Sequence, residues 1–142
     1  MAFRLNMSDK GKAWRIELES EHLIGKRIGE KIHGKEIKED FDGYELEITG
    51  TSDKAGFPGH KDIDSSTLTK RLLTRGFGMK TASPHGLRLR KTLRGAIISE
   101  DTMQINMKVI KHGHKKLETI FPEQNKEKEA KTEKKTEAPI TA

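Results

Sequence analysis

The sequence predicts an all-β protein: a small closed or partly open β-barrel of about six strands, with one or two short helical turns and a disordered C-terminal tail. Three observations predict it. Apolar and polar residues alternate in several short stretches, the period of a strand with one buried and one wet face. Those stretches are separated by polar links that contain Gly. The isoleucine stretch with helical spacing, at Ser20–Gly34, is broken by glycines. Closing the sheet would also hide strand edges that otherwise invite aggregation.

Phe3, Leu5 and Met7 alternate with Arg4 and Asn6, and Trp14, Ile16 and Leu18 alternate with Ala13, Arg15 and Glu17. The link Ser8-Asp9-Lys10-Gly11-Lys12 suits a short hairpin. In Ser20–Gly34, Ile24, Ile28 and Ile32 are four apart, but Gly25, Gly29 and Gly34 oppose a long helix. The expectation is a brief helical turn capped by Ser20, then a short strand. Gly43–Gly50 alternates cleanly and reads as a strand, followed by a loop to about Asp64. Ser65–Arg75 fits a helix, with Leu68, Leu72 and Leu73 inward and Gly76 as stop, or a strand. Gly76–Gly86 reads as loop, Leu93–Ser99 as a strand, and Met103–Lys111 as another, ended by Gly113. From Glu123 onward Lys and Glu recur without an apolar period, so residues 116–142 are expected to form a disordered tail on a domain spanning 1–115.

Composition limits the function. Hydrophobic residues are 32% of the 142 and cysteine is absent, which excludes disulfides and thiolate metal sites. The N-terminus lacks the apolar run of a signal peptide. No segment approaches the ~20 apolar residues that span a bilayer. A soluble, cytoplasmic protein without a membrane partner is expected. The net charge is +6. Residues 1–58 hold 10 basic and 12 acidic side chains, residues 59–115 hold 12 and 4, and residues 123–142 hold 5 of each. The excess therefore belongs to the middle and later body, and suggests one basic face.

That excess concentrates in residues 54–95, where Asp62 and Asp64 are the only acids. The candidate RNA-binding residues are Lys54, Phe57, Lys70, Arg71, Arg75, Lys80, Arg88, Arg90, Lys91 and Arg94. Arg predominates from Arg71 onward, and a guanidinium fork matches phosphate geometry as an ammonium cannot. Interleaved Gly, Ser, Thr and Pro permit close backbone approach. If Leu87–Arg90 is extended, Arg88 and Arg90 face the ligand while Leu87 and Leu89 anchor the strand. RNA is favoured over DNA because no helix-turn-helix, zinc finger or zipper pattern is present. Phe57 and Phe77 fit base stacking or loop plugs packed on the body equally well.

Signals for catalysis are weak. No nucleotide-binding glycine motif or nucleophile elbow occurs, and the six histidines match no metal-ligand spacing. Asp53, Asp62 and Asp64 read as loop carboxylates balancing nearby lysines, with Asp53-Lys54 a surface pair. No catalytic residue, metal or cofactor is assigned. A small hydrolase using Asp53 or His60 is the alternative from another class.

Two segments carry a resemblance. Thr49–Pro58 (TGTSDKAGFP) resembles the "GG-x-DK-x-GFPM" loop, and Arg88–Ile98 (RLRKTLRGAII) is similar to the "R-x-RK-[ST]-[VL]-RG-x-[IV]-[IV]" segment, of the archaeal and eukaryotic small-subunit ribosomal protein S-six-e family. Met103–Lys111 looks like the strand that follows. The order and spacing agree over roughly Met1 to Gly113. The resemblance implies a small β-barrel bound to small-subunit ribosomal RNA beside neighbouring ribosomal proteins, monomeric when free and non-catalytic. It carries over to Asp53, Lys54, Gly56, Phe57 and Pro58, and to Arg88, Arg90, Lys91, Arg94 and Gly95. Gly59 stands where the family pattern has Met. The tail from Glu123 has no serine, so the tail phosphorylation of eukaryotic members does not transfer, and the chain looks like the archaeal short form. A non-ribosomal RNA-binding barrel acting transiently in translation, as a factor or RNA chaperone, is the runner-up.

Overall fold

Alternation of buried and exposed side chains builds the main sheet. The computed structural model describes residues 3–19, 21–79 and 85–124. Strand β1 (Phe3–Asp9) buries Phe3, Leu5 and Met7, and β2 (Lys12–Leu18) buries Trp14. The two form an antiparallel hairpin from Phe3↔Leu18 to Asp9↔Lys12. Its two-residue turn places Lys10 and Gly11 at φ 46° and 79°. Both angles are left-handed, the geometry that matches the twist of a tight hairpin.

A 3-10 turn at Glu21–Leu23 follows, then a short strand β3 (Lys31–His33), as the sequence suggested. The Ser20 cap lies outside the described residues. Helix α1 (Gly34–Ile37) leads to a 3-10 turn at Glu39–Phe41. Strand β4 (Glu45–Asp53) runs three residues beyond the expected end at Gly50. Among the described strands, β5 (Leu68–Leu73) and β6 (Leu89–Arg94) pair only with each other, and Arg94 also bridges Gly59. Strand β7 (Thr102–Lys111) lies between β1, to which it is parallel, and β4, to which it is antiparallel. The main sheet therefore has the order β2-β1-β7-β4-β3, and β5-β6 is a separate two-stranded ribbon.

Two expectations are corrected here. The sheets are not closed into a barrel: β2 and β3 are the edges of an open five-stranded sheet. The strand expected at Leu93–Ser99 lies earlier, at Leu89–Arg94, and the chain after it meets residues 25–28 through isolated contacts. Ile28 N–H donates to the Ala96 carbonyl at 3.1 Å, and Ile98 N–H to the Lys26 carbonyl at 2.9 Å. For Ser65–Arg75, left open between helix and strand, the structure gives a strand.

The main core gathers apolar side chains from β1, β2, β3, β4 and β7, with Leu23, Phe41 and Tyr44 fully covered. Helix α2 (Leu117–Ile120) joins it through buried Leu117, and Phe121 stacks on Phe41 at 6.0 Å between ring centroids. Leu117 and Phe121 thus pack on the core beyond residue 115. Gln124 then covers the open edge of β2: its side-chain oxygen accepts from Arg15 N–H at 2.8 Å, and its amide donates to the Arg15 carbonyl at 2.9 Å. A side-chain amide here satisfies the backbone groups that a neighbouring strand would otherwise take.

Candidate nucleic-acid interface

The ribbon is anchored at its base by its own last residue. Arg94 Nε donates to Asp53 Oδ2 at 2.9 Å, and Arg94 Nη1 donates to the Ser66 carbonyl at 2.8 Å. Asp53 is 5% exposed, and its other carboxylate oxygen accepts the Phe57 N–H at 2.8 Å. Asp101 adds a second carboxylate 3.7 Å from Arg94 Nη1. The backbones meet at the same place. Arg94 N–H donates to the Pro58 carbonyl at 2.9 Å, and His60 N–H to the Arg94 carbonyl at 2.8 Å. A buried carboxylate left unpaired is costly, so Asp53 and Arg94 fix each other and the two loops that carry them.

This geometry corrects three readings. Arg94 is not a free exposed cation; its largely buried guanidinium is an internal latch. Asp53 does not form a surface pair with Lys54; it pairs with Arg94. Nor does it have the freedom of a catalytic carboxylate, since both its oxygens are held. Asp64 likewise pairs with Arg27, and Asp62 approaches His60, so the loop acids do not balance lysines.

A small second core packs on the other face of the ribbon, from Leu93 near the base to Leu73 at the far end. Ile63, Leu73 and Leu93 are buried together with Met79 against them. The expected anchoring by Leu87 and Leu89 falls instead to Leu73 and Leu93. Leu89 is exposed, and Leu87 is half-buried.

The remaining candidates are exposed. Lys70, Arg71, Arg90 and Lys91 lie within the ribbon, Arg75 and Arg88 near its far end, and Lys54 in the loop after β4. Among the described residues, none of these seven forms an ion pair. Lys80 lies outside the described residues. Phe57 is half-buried within the Asp53 loop, while Phe77 is 56% exposed and meets His60 edge-on at 5.2 Å. The ribbon also exposes Leu68 and Leu72.

Register distributes the cations differently from the single basic face expected. In an antiparallel pair, residues directly opposite share a face. Arg71 lies opposite Lys91, and Leu72 opposite Arg90. Arg71 and Lys91 therefore occupy one face of the ribbon, and Lys70 and Arg90 the other. The signal missed in the sequence is the Asp53–Arg94 contact, because nothing local distinguishes Arg94 from its exposed neighbours Arg88 and Arg90.

Comparison with known proteins gives this architecture a family. The model of ribosomal protein S6e matches residues 1–122, a span that includes α2. The small ribosomal subunit protein eS6 of Methanococcus maripaludis (strain C6) is 44% identical over 115 residues, covering 80% of this chain and 90% of the relative. The protein of the same name from Methanosphaera stadtmanae is 39% identical over 132 residues, covering 91% and 99%. That from Archaeoglobus fulgidus is 42% identical over 126 residues, covering 85% and 96%. With both sequence motifs joined through the Asp53–Arg94 latch and the match running nearly the length of the described chain, this protein belongs to the ribosomal protein S6e family.

Proposed function

We propose that the chain is a structural constituent of the small ribosomal subunit, which binds and stabilises folded ribosomal RNA through the β5-β6 ribbon and its flanking loops. The protein is structural, not an enzyme, in keeping with its family. The observation that carries the reading is the set of exposed cations on and beside the ribbon that have no carboxylate partner among the described residues. Lys54, Lys70, Arg71, Arg75, Arg88, Arg90 and Lys91 form that set. Phosphate neutralised by such groups releases condensed counterions, which makes association favourable and salt-dependent. Short basic extensions fit irregular RNA better than a flat face does.

The partners in this reading are small-subunit ribosomal RNA and neighbouring ribosomal proteins in cytoplasmic ribosomes, with the free protein a monomer. The RNA-binding domain extends through α2. The segment from residue 123 has balanced charge and contributes no net attraction to phosphate.

The test is binding to small-subunit ribosomal RNA as a function of salt. With six to ten phosphates contacted, affinity falls by roughly 10³ to 10⁵ between 50 and 200 mM salt, on the duplex DNA scale. Replacing Lys70, Arg71, Arg88, Arg90 and Lys91 by Ala should abolish most of that dependence with the fold retained. A flat salt profile for the parent protein, or undiminished binding by the variant, overturns the reading.

A further inference from the structure

We propose that the β5-β6 ribbon is clasped between two separate segments of RNA backbone, one on each face, rather than laid against a single strand or groove wall. This rests on the RNA-binding role proposed above and adds the geometry of the complex.

The register carries it. Arg71 and Lys91 are directly opposite on one face. Side chains so placed have Cβ atoms about 4.5–5.5 Å apart, and like charges in that position destabilise a strand pair. No carboxylate among the described residues offsets them. On the other face Lys70 lies opposite Thr92 and Arg90 opposite Leu72. Lys70 and Arg90 are thus diagonal neighbours, roughly 7–8 Å apart by strand geometry. They too lack a carboxylate among the described residues. Each face therefore holds two adjacent cations whose mutual repulsion an anion set over that face would relieve.

One backbone segment cannot serve both. Successive side chains leave a strand on opposite sides, so the two clusters are separated by the ribbon itself. The ribbon is also free to be gripped in this way: β5 and β6 pair only with each other, and their central residues are exposed on both sides. The face of Lys70 and Arg90 is open outward from the Arg94 latch. On the other face Leu93 near the base and Leu73 at the far end are buried with Ile63 and Met79, and Gly78 lies near both leucines, so there the clasp engages Arg71 and Lys91, which lie between those two leucines and stay exposed. Leu72, 54% exposed beside Arg90, offers an apolar contact to sugars or unstacked bases on its side.

Leu72 and Leu89 are exposed, uncharged and on opposite faces, so each can be replaced by the photo-crosslinking residue p-benzoylphenylalanine without removing a cation. In the full-length protein assembled into small subunits, irradiation should attach each position to ribosomal RNA, at two segments not contiguous in sequence. Attachment of both to one segment overturns the clasp. So does RNA from one position with protein or nothing from the other, and in either case RNA binding by the ribbon still stands. If neither position reaches RNA in subunits that contain the protein, the proposed function itself fails. A second measurement uses charge alone. Arg71→Gln with Lys91→Gln, and separately Lys70→Gln with Arg90→Gln, should each reduce the slope of log affinity against log salt by about 1.8 on the duplex scale. One pair that leaves the slope unchanged shows single-sided binding.

Discussion

The five-stranded sheet and the two-stranded ribbon treat charge and apolar surface in opposite ways. In the sheet and the segments packed on it, several cations are matched: Arg4 with Glu17, Lys26 with Glu30 and Glu36, Lys111 with Glu45, Lys115 with Asp40. Its core gathers eighteen buried residues, against three in the ribbon's cluster. Outward of Arg94, the ribbon leaves Lys70, Arg71, Arg90 and Lys91 unmatched among the described residues, and it exposes Leu68, Leu72 and Leu89. An isolated two-stranded hairpin is at best marginally stable. This one persists because its base is fastened to the body through Arg94, Leu93 and the backbone of Pro58–His60. The body supplies the stability, and the ribbon is free to carry a surface that folding alone would not favour.

The largest effect should come from cutting the fastening. Arg94→Ala leaves the buried Asp53 carboxylate unpaired, and removing one partner of such a pair costs ~3–5 kcal/mol. Urea unfolding would measure it. Arg90→Ala, four residues away on the same strand, should change stability by less than ~0.5 kcal/mol, as exposed substitutions usually do. Arg94→Lys keeps the charge but loses the fork that also reaches the Ser66 carbonyl, so it should lie between the two. Equal losses at Arg90 and Arg94 would erase the distinction between ribbon and base.

Neutralising the ribbon should do the reverse. With Lys70, Arg71, Arg90 and Lys91 changed to Gln, four phosphate contacts disappear. The fall in ribosomal RNA affinity between 50 and 200 mM salt should then be roughly 100-fold smaller. The urea midpoint should move little, or rise, because cross-strand repulsion is relieved. A large loss of stability would show that these side chains serve the fold instead.

A smaller effect concerns how the base is packed. The family loop pattern has Gly and Met where this chain has Thr51 and Gly59, and the structure brings those positions together. Gly59 N–H donates to the Thr51 carbonyl at 2.9 Å. A Cβ on Gly59 would overlap the Thr51 hydroxyl and come within 2.9 Å of Ile28 Cδ1. Space given up at one position is taken at the other. Gly59→Met alone should therefore destabilise by ~1–3 kcal/mol, the usual cost of overpacking. Adding Thr51→Gly should recover part of it. Strict additivity in that double-mutant cycle would mean the two sites are uncoupled.

The same contrast explains what the sequence could tell. Strands of the main sheet were legible because burial on one side writes a period of two, as Phe3, Leu5 and Met7 or Ile105, Met107 and Val109 show. The ribbon has almost no core, so nothing imposes that period. Leu68, Leu72 and Leu73 fit a helix as well as a strand, and Leu89-Arg90-Lys91, exposed throughout, carried only the short Leu87–Arg90 alternation. Ala96 and Ile98 are buried and drew the expected strand toward them, although their backbones bond irregular chain at residues 25–28 and at Ile63. The four-residue spacing of Ile24, Ile28 and Ile32 has no helix behind it, since Gly25 and Gly29 hold φ of 89° and 91°. In the candidate site, the abundance and location of basic residues were legible. The removal of Arg94 from that set was not, because its partner lies 41 residues earlier and only folding brings them together.

The smallest effect uses the body as a witness to the ribbon. Tyr44 is the single tyrosine, 1% exposed, with its hydroxyl donating to the Lys115 carbonyl. Burial raises its pKa above the usual value, and the negative charge of Asp9 adds to the rise. Phenolate absorbance should therefore titrate above the ordinary value of about 10. The unfolded chain ionises first as pH climbs. Tyr44 thus contributes stability that is complete below about pH 10 and is lost as pH rises through its higher folded-state value. Asp9→Asn should bring the midpoint partway down, since burial remains. The charge-neutralised ribbon should leave it where it was, because no tyrosine lies in the ribbon and the body keeps its packing. A midpoint at or below the ordinary phenol value would contradict the burial of Tyr44. A midpoint displaced by the ribbon substitutions would show that ribbon and body are not the separable parts their packing indicates.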